Sequence, residues 1–261
     1  MFGVSEPFKR FVLVFLFCAA WELFPRLNLL DPLILPPLSK VMKRAFVLLL
    51  QGDLLQHIYQ SLWRVFAGFL LSVAVAFPLG IFLGLFKKSE KYLEPLFGLF
   101  RPLAPPAWIP VAILWFGIGD KPAIFIIFVG TFFSTLTGIT MAVRRLDKDL
   151  INVAFIFGAN LRQTIWFVVI PSLLPSVFAQ LRLTLSLSWM CVVAAEMVAV
   201  KKGIGFMMME ARNLFRTEDI FVGILVVGLI GLLMDRLLNM VERKTIKWRK
   251  GLSAHEFFET G

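Results

Sequence analysis

Long uncharged apolar runs alternate along this chain with short basic or proline-rich stretches, a pattern that predicts helices of membrane length. Residues 11–21 are apolar behind Lys9 and Arg10 and read as a short first span, about 9–25. Bulky Trp21 after Ala19 and Ala20 makes a poor cleavage site, so this span is expected to be retained. Residues 26–60 contain Pro32, Pro36 and Pro37 and then a mixed segment from Ser39, and they read as an extramembrane connection with a surface helix. Residues 65–86 carry no charge and are closed by Lys87, Lys88 and Lys91, which makes a second span; Gly80 and Gly84 inside it form a small-xxx-small pair that permits close helix approach. A third span is expected over 92–117, broken by Pro102, Pro105, Pro106 and Pro110. Each proline lacks a backbone donor, so the freed carbonyls must face protein or a cavity. Apolar runs at 122–143, 173–198 and 220–240 bring the count to about six, the last two separated by a connection with Lys201, Lys202 and Arg212.

The expected fold is all-α: a polytopic membrane protein with about six transmembrane helices, in one domain over residues 1–261. Composition agrees, since 59% of residues are hydrophobic, 28 of the 261 are Phe and the mean hydropathy is +0.82, against an apolar share near one half in soluble domains. A net charge of +10 could suit nucleic acid, but the basic residues are spread between the apolar runs instead of forming one stripe. No nucleic-acid partner is expected, and the charge serves orientation in the lipid bilayer. Cys18 and Cys191 both fall in apolar runs and read as buried small hydrophobes, without a disulfide or a metal site.

Covalent chemistry has little to work with. No Gly-Lys pair exists, so a phosphate-binding loop is ruled out, and His57 and His255 are the only histidines. Neither a His-Glu-x-x-His nor a Gly-x-Ser-x-Gly pattern occurs. No catalytic residue is assigned.

Residues 152–171 differ from the rest. They mix polar with bulky apolar side chains on a helical period, with Arg144, Arg145, Lys148 and Arg162 in or near them, and they keep Val153, Phe155, Ile156 and Phe157 where water alone would not favour them. Such a segment suits a groove on another protein; the alternative is an amphipathic helix lying on the membrane surface.

At this point the chain resembles the membrane subunits of bacterial ABC importers, whose cytoplasmic loop carries Glu-Ala-Ala, then Gly, then Pro thirteen residues later. Gly158 and Pro171 have that spacing and Ala154 fills the last Ala position, while Asn152 and Val153 depart from the first two. Pro110 to Gly119, Ser188-Trp189, Ala195-Glu196-Met197 and Gly203-Ile204-Gly205 are similar to permeases of the nitrate, sulfonate, taurine and bicarbonate importers, and the likeness covers about 58–250. The resemblance implies a cytoplasmic coupling loop at 144–171, with Asn152, Val153, Ala154, Phe157, Gly158, Ala159 and Pro171 docking into an ATPase. Gly158 would let the chain turn or approach closely, and Pro171 would end the loop where the fifth span begins. It also implies a second copy of the permease, two copies of the ATPase holding ATP-Mg, an extracytoplasmic solute-binding protein, a bacterial inner-membrane location with both termini cytoplasmic, and a small anionic solute of the aliphatic sulfonate, taurine or nitrate type. The chain itself would bind no cofactor. An ion-gradient-driven carrier is the alternative, and it would need paired intramembrane carboxylates or a twin for the broken span.

Charges and hydroxyls within spans are the candidates for lining the passage: Arg101, Trp108, Ser134, Arg182, Ser186 and Glu196. Arg101 and Arg182 could instead snorkel or pair with a carboxylate such as Glu94, and Glu196 could tie to an outer loop. Serines and threonines can satisfy their own helix backbone, and Trp108 and Trp115 could line the path or sit in an interfacial belt.

Overall fold

The computed structural model describes residues 6–27, 31, 33–86, 92, 95, 97–100, 102–146 and 148–246, and among them every regular element is helical. Helix α1 is Glu6–Arg26, α2 is Leu38–Gln51 and α3 is Asp53–Leu85. A 3-10 turn, Pro105–Trp108, leads into α4, Ile109–Phe116, followed by α5, Asp120–Arg144, and α6, Lys148–Ile156. A short helical turn, Leu161–Thr164, and a π turn, Ile165–Val169, run without a break into α7, Ile170–Ala199; α8 is Ile204–Asn213 and α9 Thr217–Thr245.

Among the described residues, four continuous helices are long and apolar enough to cross a membrane, Asp53–Leu85, Asp120–Arg144, Arg162–Ala199 and Thr217–Thr245. Of the six expected spans, the first and the proline-broken third are not among these four. Helix α1 is too heavily charged at its ends for its length, with Lys9, Arg10, Glu22 and Arg26. The third was expected to be broken, and the described part of 92–117 consists of helical residues up to 100, the 3-10 turn and α4 around the prolines. It nevertheless has to cross the bundle. Gly68, Gly80 and Gly84 of α3 meet Ile127, Ile139 and Val143 of α5 in the same order, so the two helices run parallel, and the chain between them returns from one end to the other.

The start of α3 also moves. Sequence placed the span from residue 65, whereas the helix begins at Asp53, because His57, Ser61 and Arg64 find partners inside the protein and need not mark a boundary. The connection at 26–60 therefore contains α2 plus about the first two turns of α3. Helix α2 is tied down at its N-terminus, where Ser39 N–H and Oγ donate to Glu22 at 2.9 and 2.8 Å, and Trp21 Nε1 donates to the Pro36 carbonyl.

Packing is tightest between α3 and α5. A Cβ on Gly68, Gly80 or Gly84 would lie 2.6, 2.8 or 2.5 Å from the Cβ of Ile127, Ile139 or Val143, and Ser72 and Ala76 continue the small-residue stripe between them, both buried. Backbones that approach this closely gain dispersion contacts that lipid cannot supply. Helix α7 packs antiparallel to α5, with Thr135 Oγ1 and Thr184 Oγ1 2.8 Å apart and the Gly119 N–H donating to the Ala199 carbonyl. The core along α3, α7, α8 and α9 is filled by Val65, Leu185, Trp189, Val192, Ile204 and Val222, while lipid-length apolar faces of α1 and α9 remain exposed, among them Leu13, Phe15, Leu229 and Leu233.

Candidate functional site

Three groups of residues bear on function: the α6 segment, a buried polar cluster at the opposite end of the bundle, and a cavity between them.

Helix α6 ends in a Schellman motif. The Ala159 N–H donates to the Ala154 carbonyl and the Gly158 N–H to Phe155, both at 3.0 Å, and Gly158 has φ +81°. Left-handed backbone at C′ is where glycine is favoured. Nothing lies within 4 Å of a Cβ built on Gly158, so the residue is needed for its φ and not for close approach. Two residues on, Asn160 and Gln163 cap the next helix reciprocally: Gln163 N–H donates to Asn160 Oδ1 and Asn160 N–H to Gln163 Oε1, each at 2.9 Å. The result is helix, tight turn, helix, with its apolar side chains facing outward. Phe157 is 86% exposed, Ile156 81% and Phe167 78%; Asn152, Val153 and Phe155 are also exposed, and Ala154 and Ala159 half-buried.

Pro171 lies inside a continuous helical stretch and does not mark its start. The helix that contains it starts at Leu161, and the chain accommodates the ring and the missing N–H by widening into the π turn Ile165–Val169, whose last bond runs from Ile170 N–H to the Ile165 carbonyl.

At the far end, Glu196 is fully buried and saturated with donors. Ser61 Oγ lies 2.9 and 2.8 Å from its two oxygens, Arg64 Nη1 2.6 Å and the Gly205 N–H 3.0 Å. Arg64, 3% exposed, also donates to Asp120 at 2.8 Å and to the Lys202 carbonyl at 2.5 Å. Ser61 Oγ in turn accepts from the Ile204 N–H, and His57 Nδ1 from the Gly203 N–H. The carboxylate thus sits at the N-terminus of α8, where the helix dipole favours negative charge. Gly203, at φ +135°, lies against that carboxylate, and a Cβ there would collide with it. The Ala195-Glu196 and Gly203-Ile204-Gly205 motifs are therefore one structural unit, joining α3, α5, α7 and α8. Glu196 lines no open space. Arg64, Ser61, His57 and Asp120 were missed by sequence reasoning; the signal available was the helical spacing of His57, Ser61, Arg64 and Gly68.

Arg182 binds α9, pairing with Glu242 and lying 3.4 Å from Asp235, carboxylates other than the Glu94 considered from sequence. It borders a groove with Ser186, Trp189, Gly228 and Gly231, and Ser186 is exposed there. Arg101 and Glu94 lie outside the described residues. Trp108 lies between Phe100, tilted to it at 33°, and Phe125, edge-on at 77°, with its buried Nε1 unbonded.

Ser134 stands elsewhere, in a cavity of about 510 Å3 bounded by Phe100, Pro102 and Pro105 of the broken traverse, by the middle of α5, and by Gln180 and Leu183 of α7. Backbone without helical bonds at membrane depth is tolerated where it borders protein or a cavity, and the non-helical residues 102–104 border this one. Among the described candidates, Ser134 borders this cavity, whereas Arg182 and Ser186 border a different groove and Glu196 belongs to the buried cluster.

Comparison with known proteins agrees with this architecture. The family described as the binding-protein-dependent transport system inner membrane component matches residues 76–247. A putative ABC transporter permease of Methanocaldococcus jannaschii is 38% identical over 235 residues, 88% of each chain. A putative aliphatic sulfonates transport permease of Bacillus subtilis is 32% identical over 92% of this chain and 87% of its own. The taurine transport permease of Escherichia coli is 31% identical over 87% and 85%. The solved MetNI methionine ABC transporter shares the fold, with a TM-score of 0.60 at 19% identity over 73% of this chain and 96% of that one. None of these matches supports an ion-gradient carrier. The chain belongs to the binding-protein-dependent transport system inner membrane component family and is a permease subunit of an ABC importer.

Proposed function

We propose that two identical copies of this chain enclose one passage for a small anionic solute of the aliphatic sulfonate, taurine or nitrate type. Two copies of a separate ATPase, holding ATP-Mg, dock against the α6 segment, and an extracytoplasmic solute-binding protein delivers cargo at the α8 end. Both termini are then cytoplasmic, and the chain performs no covalent chemistry and holds no cofactor or metal of its own. Asn152, Val153, Ala154, Phe157, Gly158, Ala159 and Pro171 belong to the coupling loop over 144–171.

The observation that carries this reading is the outward-facing apolar surface of the α6 turn. Phe157, Ile156 and Phe167 are too exposed for an aqueous loop left bare, and contiguous exposed apolar surface marks an interaction site. The solute class is supported by the sulfonate and taurine permeases among the relatives. Purification from the native host should bring down an ATPase, and proteoliposomes holding the complex plus its binding protein should take up a radiolabelled sulfonate with ATP in the presence of an uncoupler. Uptake by the isolated chain, or uptake abolished by the uncoupler, would refute the reading.

A further inference from the structure

We propose that Gln180, with the hydroxyl of Ser134, forms the polar contact for solute inside the membrane passage, a site for the oxyanion end of a small sulfonate or carboxylate. The inference rests on the reading that the chain encloses a path for such a solute. The hydroxyls of α5 and α7 supply the first argument. Thr131, Thr135 and Thr140 on α5, and Thr184 and Ser188 on α7, each donate to the carbonyl one turn back at 2.8 Å, which is how hydroxyls in a membrane helix are usually satisfied. Ser134 differs: its hydroxyl makes no hydrogen bond among the described residues, and it borders the cavity of about 510 Å3.

Gln180 faces it from α7. Only 9% of the residue is exposed, and its Nε2 donates to the Ser134 carbonyl at 3.3 Å and to Thr184 Oγ1 at 3.4 Å. Both contacts are longer than the usual N–H···O range of about 2.7–3.2 Å, so the amide is held in place yet can exchange a donor to an incoming acceptor. Its position depends on Gly138, because a Cβ there would collide with the amide. A buried amide is costly to keep so loosely satisfied, and an apolar residue would fill the same space. The cavity volume falls within the range for small-ligand sites. Neutral donors bind an oxyanion less tightly than a fixed cation does, which suits a passage whose contacts must release what they hold.

The test uses thiol chemistry in the assembled transporter. In a Cys18→Ser/Cys191→Ala background, Ser134→Cys is treated with an ethylsulfonate methanethiosulfonate and, separately, its ethyltrimethylammonium counterpart, each rate normalised to that with a free thiol. Labelling is expected, with the sulfonate reagent preferred. Adding Gln180→Glu should turn that preference against the sulfonate by on the order of tenfold, as a unit charge a few ångströms away would. Gly138→Ala, which displaces the amide without changing its chemistry, should narrow the preference, and it decides the matter if Gln180→Glu fails to assemble with the ATPase. Absence of labelling, or a preference indifferent to the amide variants, would overturn the proposal. ATP-driven uptake by the unsubstituted complex, measured in parallel, tests the passage reading separately.

Discussion

Glu196 has no exposure, and Ser61, Arg64 and the Gly205 N–H all donate to it. Removing one partner of such a buried pair costs more than the pair contributes, since the remaining charge is left uncompensated. Arg64→Leu is therefore expected to destabilise the chain by about 3–5 kcal/mol, seen as a lower midpoint of thermal unfolding in detergent, and Arg64→Leu/Glu196→Leu should cost less than the two single changes summed. Arg182 is expected to behave differently. It is 36% exposed and paired with α9 carboxylates, so Arg182→Ala should cost about 0–1 kcal/mol and leave sulfonate uptake unchanged; a loss of uptake with normal assembly would put the residue back in the passage. Sequence reasoning singled out Arg182 and passed over Arg64. An arginine directly before a long uncharged run reads as the edge of a span, and nothing local reveals that its guanidinium will meet Asp120 and Glu196, distant in the chain.

At the scale of elements, the α3–α5 contact is the firmest part of the fold. Gly80→Leu would push a branched side chain into Ile139, whose Cβ is already 2.8 Å from a Cβ built at that position. Overpacking of this kind costs about 1–3 kcal/mol, measurable as faster proteolysis or a lower yield of folded protein, whereas Gly231→Leu, at a position with nothing within 4 Å, should be tolerated. The small-residue spacing of Gly80 and Gly84 was legible from sequence, but the identity of the partner helix was not, because it is set by the path of the chain between them. Helix existence was read correctly for the apolar runs that became α3, α5, α7 and α9. Their ends were not, since α3, α7 and α9 each extend past the lipid-length core into segments held by polar contacts, as at Asp53 to Arg64, or by a widened turn, as before Pro171.

Across the whole molecule, the parallel course of α3 and α5 obliges the proline-rich traverse to recross the bundle, so the chain borders its cavity with a segment that no continuous helix could supply. The α6 turn and the Glu196 cluster lie at opposite ends, with packed helices between them. Gly158→Leu would force a branched residue to φ +81°, at about 1–2 kcal/mol, within a turn that few other contacts support. Insertion should be preserved, while ATP-driven uptake and retention of the ATPase on purification should fall together; unchanged uptake would detach the turn from coupling.

The aromatic rim at Phe157 and Phe167 has a consequence for how cells must produce this subunit. If the α6 turn docks the ATPase as proposed, a copy synthesised in excess of its motor would display greasy rings to the aqueous phase, inviting self-association or capture by proteases. Stoichiometry would then be policed by the molecule's own surface: whichever copies fail to find a companion carry a visible mark of being alone.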